Sequence, residues 1–446
     1  MSPRAARWLP VVQLAAFWPL GVWYFRRVLD SGEDPWGLLA LVSAGLLLGR
    51  GVAPRAPTSE SEGNCGSLWP AAVFTLLYAA VYPVLPNLLC AVLAATAIAL
   101  VLSACVLRRV LHPGLLGLLW LALPVLPSIE YYAGFPLRVL VTHGAALWLR
   151  LAGWAVRPEQ AVLNWEGLQV AVDAPCAGLR MMWAGAWLTL TLICLRRLSF
   201  RRAVLAAVLA LVWILAANIL RTAALFLLEI GWVRGPDWLH PVVGVIVFAF
   251  AAGGIALTTR GPAVADAEST IPQRTVLRAG LRVWWASVFL AAASPLLAGK
   301  PDSTPPGLPP VWPGEMDGRP LAPLAHDAAE REFARAFPGH MAKFTDGTRV
   351  VIFRSVHEAT RRLHPLETCL RAQGYRIRPA PLHTDAQGRH WGCSLATRAS
   401  VRVRVRTCIT DGHGGSWPDV SGWFWSATLG KTQPPWMAVN VVEPAE

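Results

Sequence analysis

The sequence predicts a polytopic α-helical membrane protein with about nine transmembrane helices, followed by a small extracytoplasmic α+β domain. Three observations carry this. Of 446 residues, 54% are hydrophobic and 15% charged, against about 25% charged in soluble domains. Apolar runs approaching the roughly 20 residues that cross a bilayer recur along the chain. Past residue 323 the pattern becomes polar and alternating.

The apolar runs place spans at roughly 8–25, 36–50, 68–84, 86–106, 114–131, 176–195, 203–229, 239–258 and 283–298. The first resembles a signal-peptide core, but "FRRVLDSGED" follows it without a small-residue cleavage site, so it reads as an uncleaved anchor. The stretch 136–154, "PLRVLVTHGAALWLRLAGW", is apolar yet carries Arg138, His143 and Arg150. It reads as an interfacial or re-entrant helix rather than a span.

Basic clusters at Arg4/Arg7, Arg50/Arg55, Arg108/Arg109, Arg196/Arg197/Arg201/Arg202 and Arg260/Arg274/Arg278/Arg282 alternate with acidic or neutral loops. The basic set belongs in the cytoplasm. An odd span count then puts the amino terminus inside and the C-terminal domain outside, in the periplasm of a cell with an inner membrane. Arg26/Arg27 are the discordant pair. The net charge of +13 is thereby a topology signal, and nucleic acid is excluded as a partner. The lipid bilayer is the implied partner.

Five regions follow: N-terminal transmembrane helices (1–67), a membrane core (68–260), a cytoplasmic loop with the last span (261–298), a Pro-rich linker (299–323) and the outer domain (324–446). In the outer domain "TRVVIF" and "SVRVRVRTCIT" alternate like half-buried strands, and "DAAEREFARAF" reads as a short helix. Of eight cysteines, Cys90, Cys105 and Cys194 fall in or at spans as small apolar side chains, and Cys65 is on a cytoplasmic loop. The outer domain holds Cys369, Cys393 and Cys408, an odd number that leaves one thiol over in an oxidising compartment. A Cys393–Cys408 disulfide between two strands is the expected pairing.

Three successive spans bring polar residues to the outer membrane face. Cys176 opens the sixth span in "DAPCAGLR", with Gly178 and Arg180 close behind. The seventh carries Asn218 and Arg221, three residues apart and so on neighbouring faces of a helix. Arg221 lies about 12 Å below Glu229 at 1.5 Å per residue, where an unpaired charge costs several kcal/mol. The eighth begins with His240, and Gly244 follows one turn on. A thiolate is a nucleophile, with a free cysteine pKa near 8.5. Arg221 and a protonated His240 would lower that value, or a neutral His240 could take the thiol proton. Arg221 could also steady an oxyanion. Gly178 would let backbone approach closely. Singly, each residue has a structural reading: a small core thiol, an interface histidine, a snorkelling arginine. Their shared depth favours joint chemistry.

"DAPCAGLR", "NILRTAALF" and "HPVVGVIVF", in this order, together with "FPLRVLVTHGAALWLRLAGW" upstream, resemble the exosortase/archaeosortase family over roughly residues 68–260. Ala177 stands where serine is commonest in that family, which removes a possible hydroxyl donor. The resemblance implies a membrane-embedded cysteine protease or transpeptidase working through a thioester on Cys176. Its partners would be exported proteins ending in a sorting signal: a Pro-Glu-Pro-like motif, one spanning helix and a basic tail. The family's catalytic residues fall on Cys176, Arg221 and His240, with Arg180, Gly178 and Asn218 supporting. It implies neither metal nor cofactor. The acceptor nucleophile is not specified by the sequence. "HPLETCLRAQGYRI", residues 364–377, resembles the exosortase-associated periplasmic domain. His364 and Cys369 within it could form a second thiol site, with a structural cysteine as the simpler reading. The competing functions are a transporter or polysaccharide-export component, and a scaffold whose membrane part only anchors its outer domain.

Overall fold

The computed structural model describes residues 8–29, 36–49, 68–107, 111–172, 178–233, 235–236, 238–260, 274–297 and 310–445. Cys176, Ala177, Cys65, Arg4, Arg7, Arg50, Arg55, Arg108 and Arg109 lie outside the described residues.

The apolar runs fold as helices. The first is two short helices, α1 (Leu9–Ala16) and α2 (Trp18–Leu29), separated at Phe17. Pro19 explains the break, since it has no N–H to give and its ring crowds the preceding turn. Then come α3 (Trp36–Gly49), α4 (Trp69–Val81), α5 (Asn87–Cys105), α6 (Pro113–Leu121), α7 (Leu126–Leu151), α8 (Leu179–Leu195), α9 (Phe200–Glu229), α10 (Leu239–Thr258) and α11 (Arg274–Leu297). Among the described residues α5, α9, α10 and the Gly280–Leu297 part of α11 are each long and apolar enough to cross a membrane. The pair α6 and α7 would make a fifth, and α3, α4 and α8 are shorter apolar helices. Among the described residues four to five helices thus meet the length and composition of a span, consistent with a polytopic helical membrane protein, and the expected count of nine is not established by them.

The expected span 114–131 needs correction. α6 ends at Leu121 and α7 leaves it at 90°. Pro124 and Pro127 flank the turn, each removing a backbone donor and restricting the residue before it. The residues expected as the end of that span and those expected as a separate helix from 136 are therefore one helix, α7. The bent pair α6 and α7 has the geometry of either a broken span or a re-entrant loop.

One core cluster joins α1, α2, α4, α5 and α11 around Tyr78, Ala97 and Trp284. Within it Gln13 Nε2 donates to Thr75 Oγ1 at 3.0 Å, and Trp284 Nε1 donates to Gln13 Oε1 at 2.6 Å. Burying polar groups is costly unless they bond one another, and these do.

The C-terminal region is strand-rich. Its main sheet contains β6 (Ala322–Leu324), β7 (Gly339–Thr345), β8 (Val350–Val356), β13 (Trp436–Pro444), β11 (Val401–Thr410), β10 (His390–Arg398) and β9 (Arg376–Thr384), paired antiparallel in that spatial order, with β12 (Ser416–Trp417) against β11. The helices α12 (Ala328–Ala336), α13 (Leu366–Ala372) and α14 (Val420–Thr428) complete it. Asp327 and Glu330 form a capping box that starts α12.

Two expectations fail here. The Cys393–Cys408 disulfide is absent, and both thiols are free. The register pairs Cys393 with Arg406, so Cys408 is a diagonal neighbour. Diagonal positions are about 7–8 Å apart, beyond the roughly 4.4–6.8 Å Cα separation that a disulfide spans. The Pro-rich segment also does not run as a linker as far as residue 323. Trp312, Met316 and Leu321 pack against Phe353 and Trp391 of the sheet, and Trp312 stacks on Phe353 at 6.0 Å.

The sheet domain is docked on α7 through α14. Arg138 of α7 donates to Asp419, which also caps α14 by accepting from the Gly422 N–H at 2.9 Å. Pro136 cannot supply the N–H that the Tyr132 carbonyl would otherwise accept. Trp425 Nε1 takes that carbonyl at 2.5 Å. The Phe135 N–H goes to Ser421 Oγ at 3.0 Å, and Tyr131 OH to the Thr360 carbonyl at 2.7 Å. The helix-breaking residue inside α7 thus frees a backbone acceptor that the second domain uses.

Asp419→Asn should remove the ion pair and keep the cap, at a cost of about 1–3 kcal/mol for the stranded Arg138 charge. Asp419→Ala should lose about 1 kcal/mol more with the cap. Thermal melts of the full chain in detergent check this. Equal midpoints for wild type and Asp419→Asn would remove the ion pair from the docking account.

Candidate active site

The site centres on the middle of α9. Asn218, Arg221 and Thr222 fall at i, i+3 and i+4, hence on one side of the helix within a turn. Asn218 and Thr222 are buried, at 2% and 5% exposure, in a layer where Ala217 and Phe226 are also buried. Arg221 is half-buried, and its Nε is shielded from solvent with no hydrogen-bond partner. The Thr222 hydroxyl is in the same position. Thr222 was not singled out from sequence. The available signal was its spacing of four from Asn218.

Two glycines bring neighbouring helices onto this patch. Gly178 caps α8 with φ +75°, a left-handed conformation that side chains rarely adopt. A Cβ there would lie 2.6 Å from the Asn218 amide, so α8 starts in direct backbone contact with Asn218. On the other side, a Cβ on Gly244 of α10 would lie 3.5 Å from Arg221 Nε. Further down, Gly185 faces Ile214 and Gly254 faces Trp213, which keeps α8 and α10 tight against α9.

His240 is exposed in the first turn of α10, one turn before Gly244, and has no hydrogen-bond partner among the described residues. Arg180 is exposed on the first turn of α8. The structure therefore brings Gly178, Asn218 and Arg221 together and sets His240 on the helix that touches Arg221. No contact between the His240 and Arg221 side chains is present.

The segment before Gly178 is anchored to the same helix. The small sheet β1 (Arg157–Glu159), β2 (Val162–Trp165) and β3 (Leu168–Ala171) follows α7. Leu163 and Val172 share a core with Ala145, Ala146 and Leu149 of α7 and Ala223 and Phe226 of α9. Val172 and Gly178, the described residues that flank positions 173–177, thus pack at the levels of residues 223–226 and 218 of α9. Arg221 lies between these levels.

The profile of the transmembrane exosortase family (Exosortase_EpsH) matches residues 9–257. The chain belongs to this family. The match covers α1 to α10, including every residue of the candidate site, and leaves the strand-rich region outside. No curated protein and no solved structure matches the chain. Within this exosortase the match reaches back to α1, further than the resemblance over 68–260 had extended.

Gly178→Ala should destabilise the membrane core by at least the roughly 1–2 kcal/mol of a left-handed side chain, plus the collision with Asn218. Adding Asn218→Ala should recover the collision part only. Thermal midpoints of the two single variants and the double variant give the coupling. Strictly additive shifts would contradict the close approach.

Proposed function

We propose that this exosortase cleaves a carboxy-terminal sorting signal of exported proteins, using Cys176 as nucleophile and forming a thioester. The observation that carries the reading is the placement of a half-buried, partly unsatisfied Arg221 between the two anchor points of the Cys176 segment. Five residues separate Val172 from Gly178, and Cys176 is two positions from the Asn218 contact.

In this reading Cys176 Sγ attacks the scissile carbonyl carbon. His240 accepts the thiol proton and returns it to the leaving amine. Arg221 stabilises the oxyanion of the tetrahedral intermediate, with the Nε that the protein leaves unbonded available to it. Asn218 fixes the start of α8 at Gly178. Gly178 permits that contact. Arg180 is a supporting basic residue at the same helix start. The acyl group then passes from sulfur to an amine or hydroxyl acceptor, or to water. The sorting signal's own helix would lie in the bilayer beside α9 and α10, whose outer surfaces are apolar and exposed at Val208, Val212, Val245 and Ile246.

The basic loops support an orientation with the amino terminus in the cytoplasm and the strand-rich region outside the inner membrane. A phosphatase fused after residue 445 should be active, and a reporter that works only in the cytoplasm should be silent. The reverse pattern would overturn this orientation.

Cys176→Ala should abolish processing of a co-expressed substrate at normal protein level. Arg221→Lys keeps the charge but loses the planar fork, and should slow processing about a hundredfold or more. A gel time course reads both. Unchanged processing in Cys176→Ala contradicts the nucleophile, and near-normal rates in Arg221→Lys return Arg221 to a structural role.

A further inference from the structure

The strand-rich region holds a thiol with an imidazole beside it. Pro365 starts α13, so His364 sits just before the helix and Cys369 in its first turns. His364 Nε2 lies 3.3 Å from Cys369 Sγ. A thiol and a ring nitrogen that can take its proton are thus within bonding reach of each other.

A buried cation completes the cluster. Arg354 of β8 is 2% exposed. Its Nη1 donates to the His364 carbonyl at 2.8 Å and its Nη2 reaches Asn440 Oδ1 at 3.5 Å. Its Nε is buried with no hydrogen-bond partner. Arg354 has no carboxylate salt bridge among the described residues, and the negative groups that act on it are Cys369 and Glu367. Ser394 already bonds Glu367 at 3.0 Å. An interior guanidinium with an open N–H is costly unless something negative forms beside it.

Cys408 supplies the contrast. It is fully buried in the same sheet among Val351, Phe353 and Trp391, and its thiol donates to the Ile409 carbonyl at 3.8 Å. Cys393 donates to the Trp391 carbonyl at 3.7 Å. Of these three thiols only half-buried Cys369 has an imidazole nitrogen in bonding reach among the described residues.

We propose that Cys369, His364 and Arg354 form a second nucleophilic centre, which accepts acyl groups from thioesters and activated esters onto the Cys369 sulfur. In the step, an S–C bond forms to the acyl carbon and the bond from that carbon to the leaving sulfur or oxygen breaks. The thiol proton passes through His364 Nε2 to the leaving group, and nothing is oxidised or reduced. Arg354 faces the negative charge that develops.

The surroundings of His364 hold it in the base form. Arg354, Arg361 and Arg27 of α2 all act on it, and with burial they push its pKa down to about 4. It is therefore neutral across the physiological range. Burial, Glu367 and Glu330 push the Cys369 thiol up, against the pull of Arg354. A neutral imidazole can accept a proton from the thiol. Thiolate and phenolate leaving groups depart without a strong proton donor, so thioesters and activated esters ask least of the centre.

The test uses the full chain in detergent, in a Cys176→Ala background, with 4-nitrophenyl acetate as probe and peptide mass mapping of acetylated cysteines. Cys369 should be acetylated about tenfold or more faster than half-buried Cys393. Its rate should be nearly flat between about pH 6 and 8, because the base form of His364 is constant there. His364→Gln should slow it about a hundredfold. An unassisted thiol reacts as the thiolate, so a rate rising about tenfold per pH unit would overturn the proposal. So would acetylation of Cys369 no faster than Cys393. The wild-type pH profile decides the matter even if His364→Gln does not fold, and it is independent of the role given to Cys176.

Discussion

An arginine inside an apolar layer is the constraint around which the membrane core is organised. Charge away from water must be met by other groups. α9 meets it by placing Asn218, Arg221 and Thr222 on one side of a 30-residue helix. The neighbouring helices then give up side chains where they touch that face: Gly178 on α8 and Gly244 on α10. The result is a polar patch enclosed by backbone, with an arginine Nε and a threonine hydroxyl left without partners. Such groups are stable in place only because the three helices are locked against one another below, at Gly185 and Gly254. In the proposed reaction the missing partner is an oxyanion, and the cost of leaving Arg221 incompletely bonded becomes preference for the transition state.

The second organising element is α7. Its right-angle departure from α6 sets a helix across the core, with one end against α9 and the other carrying the strand-rich region. Gly144 lies against Ile219, one residue from Asn218, while Tyr131, Tyr132, Phe135 and Arg138 hold α14 and the 360 loop. The two parts of the molecule are therefore joined through one rigid element and not only through the chain between α11 and the sheet. A shift of α14 would be felt along the helix that supports the floor of the candidate site.

The residues proposed for the site each carry a local oddity in the sequence: an arginine and asparagine in an apolar run, a histidine at a helix start and a glycine at another; Cys176 lies outside the described residues. The structure adds the reason for Gly178, which no composition argument supplies, because its close approach to Asn218 depends on tertiary packing. Thr222 was missed because a threonine in an apolar helix normally bonds its own backbone, as Thr142 and Thr189 do here. The α6–α7 turn was missed because hydropathy records apolarity and not direction; the Pro124–Pro127 pair was its only trace. The Cys393–Cys408 pairing failed on a register offset of two residues, which strand patterns cannot fix without knowing which residues face each other. The strands at 350–356 and 401–410 and the helix at 328–336 were readable because alternation and a capping box are local signals.

The central claim is that acyl transfer proceeds through the Cys176 sulfur beside Arg221. The most direct measurement is to mix purified protein with a substrate bearing the sorting signal, quench in acid during turnover, and map adducts by mass. The account predicts the amino-terminal substrate fragment attached to Cys176 through a bond that hydroxylamine cleaves, and accumulating less in Arg221→Lys. Substrate cleavage at a normal rate with no adduct on Cys176 would contradict it.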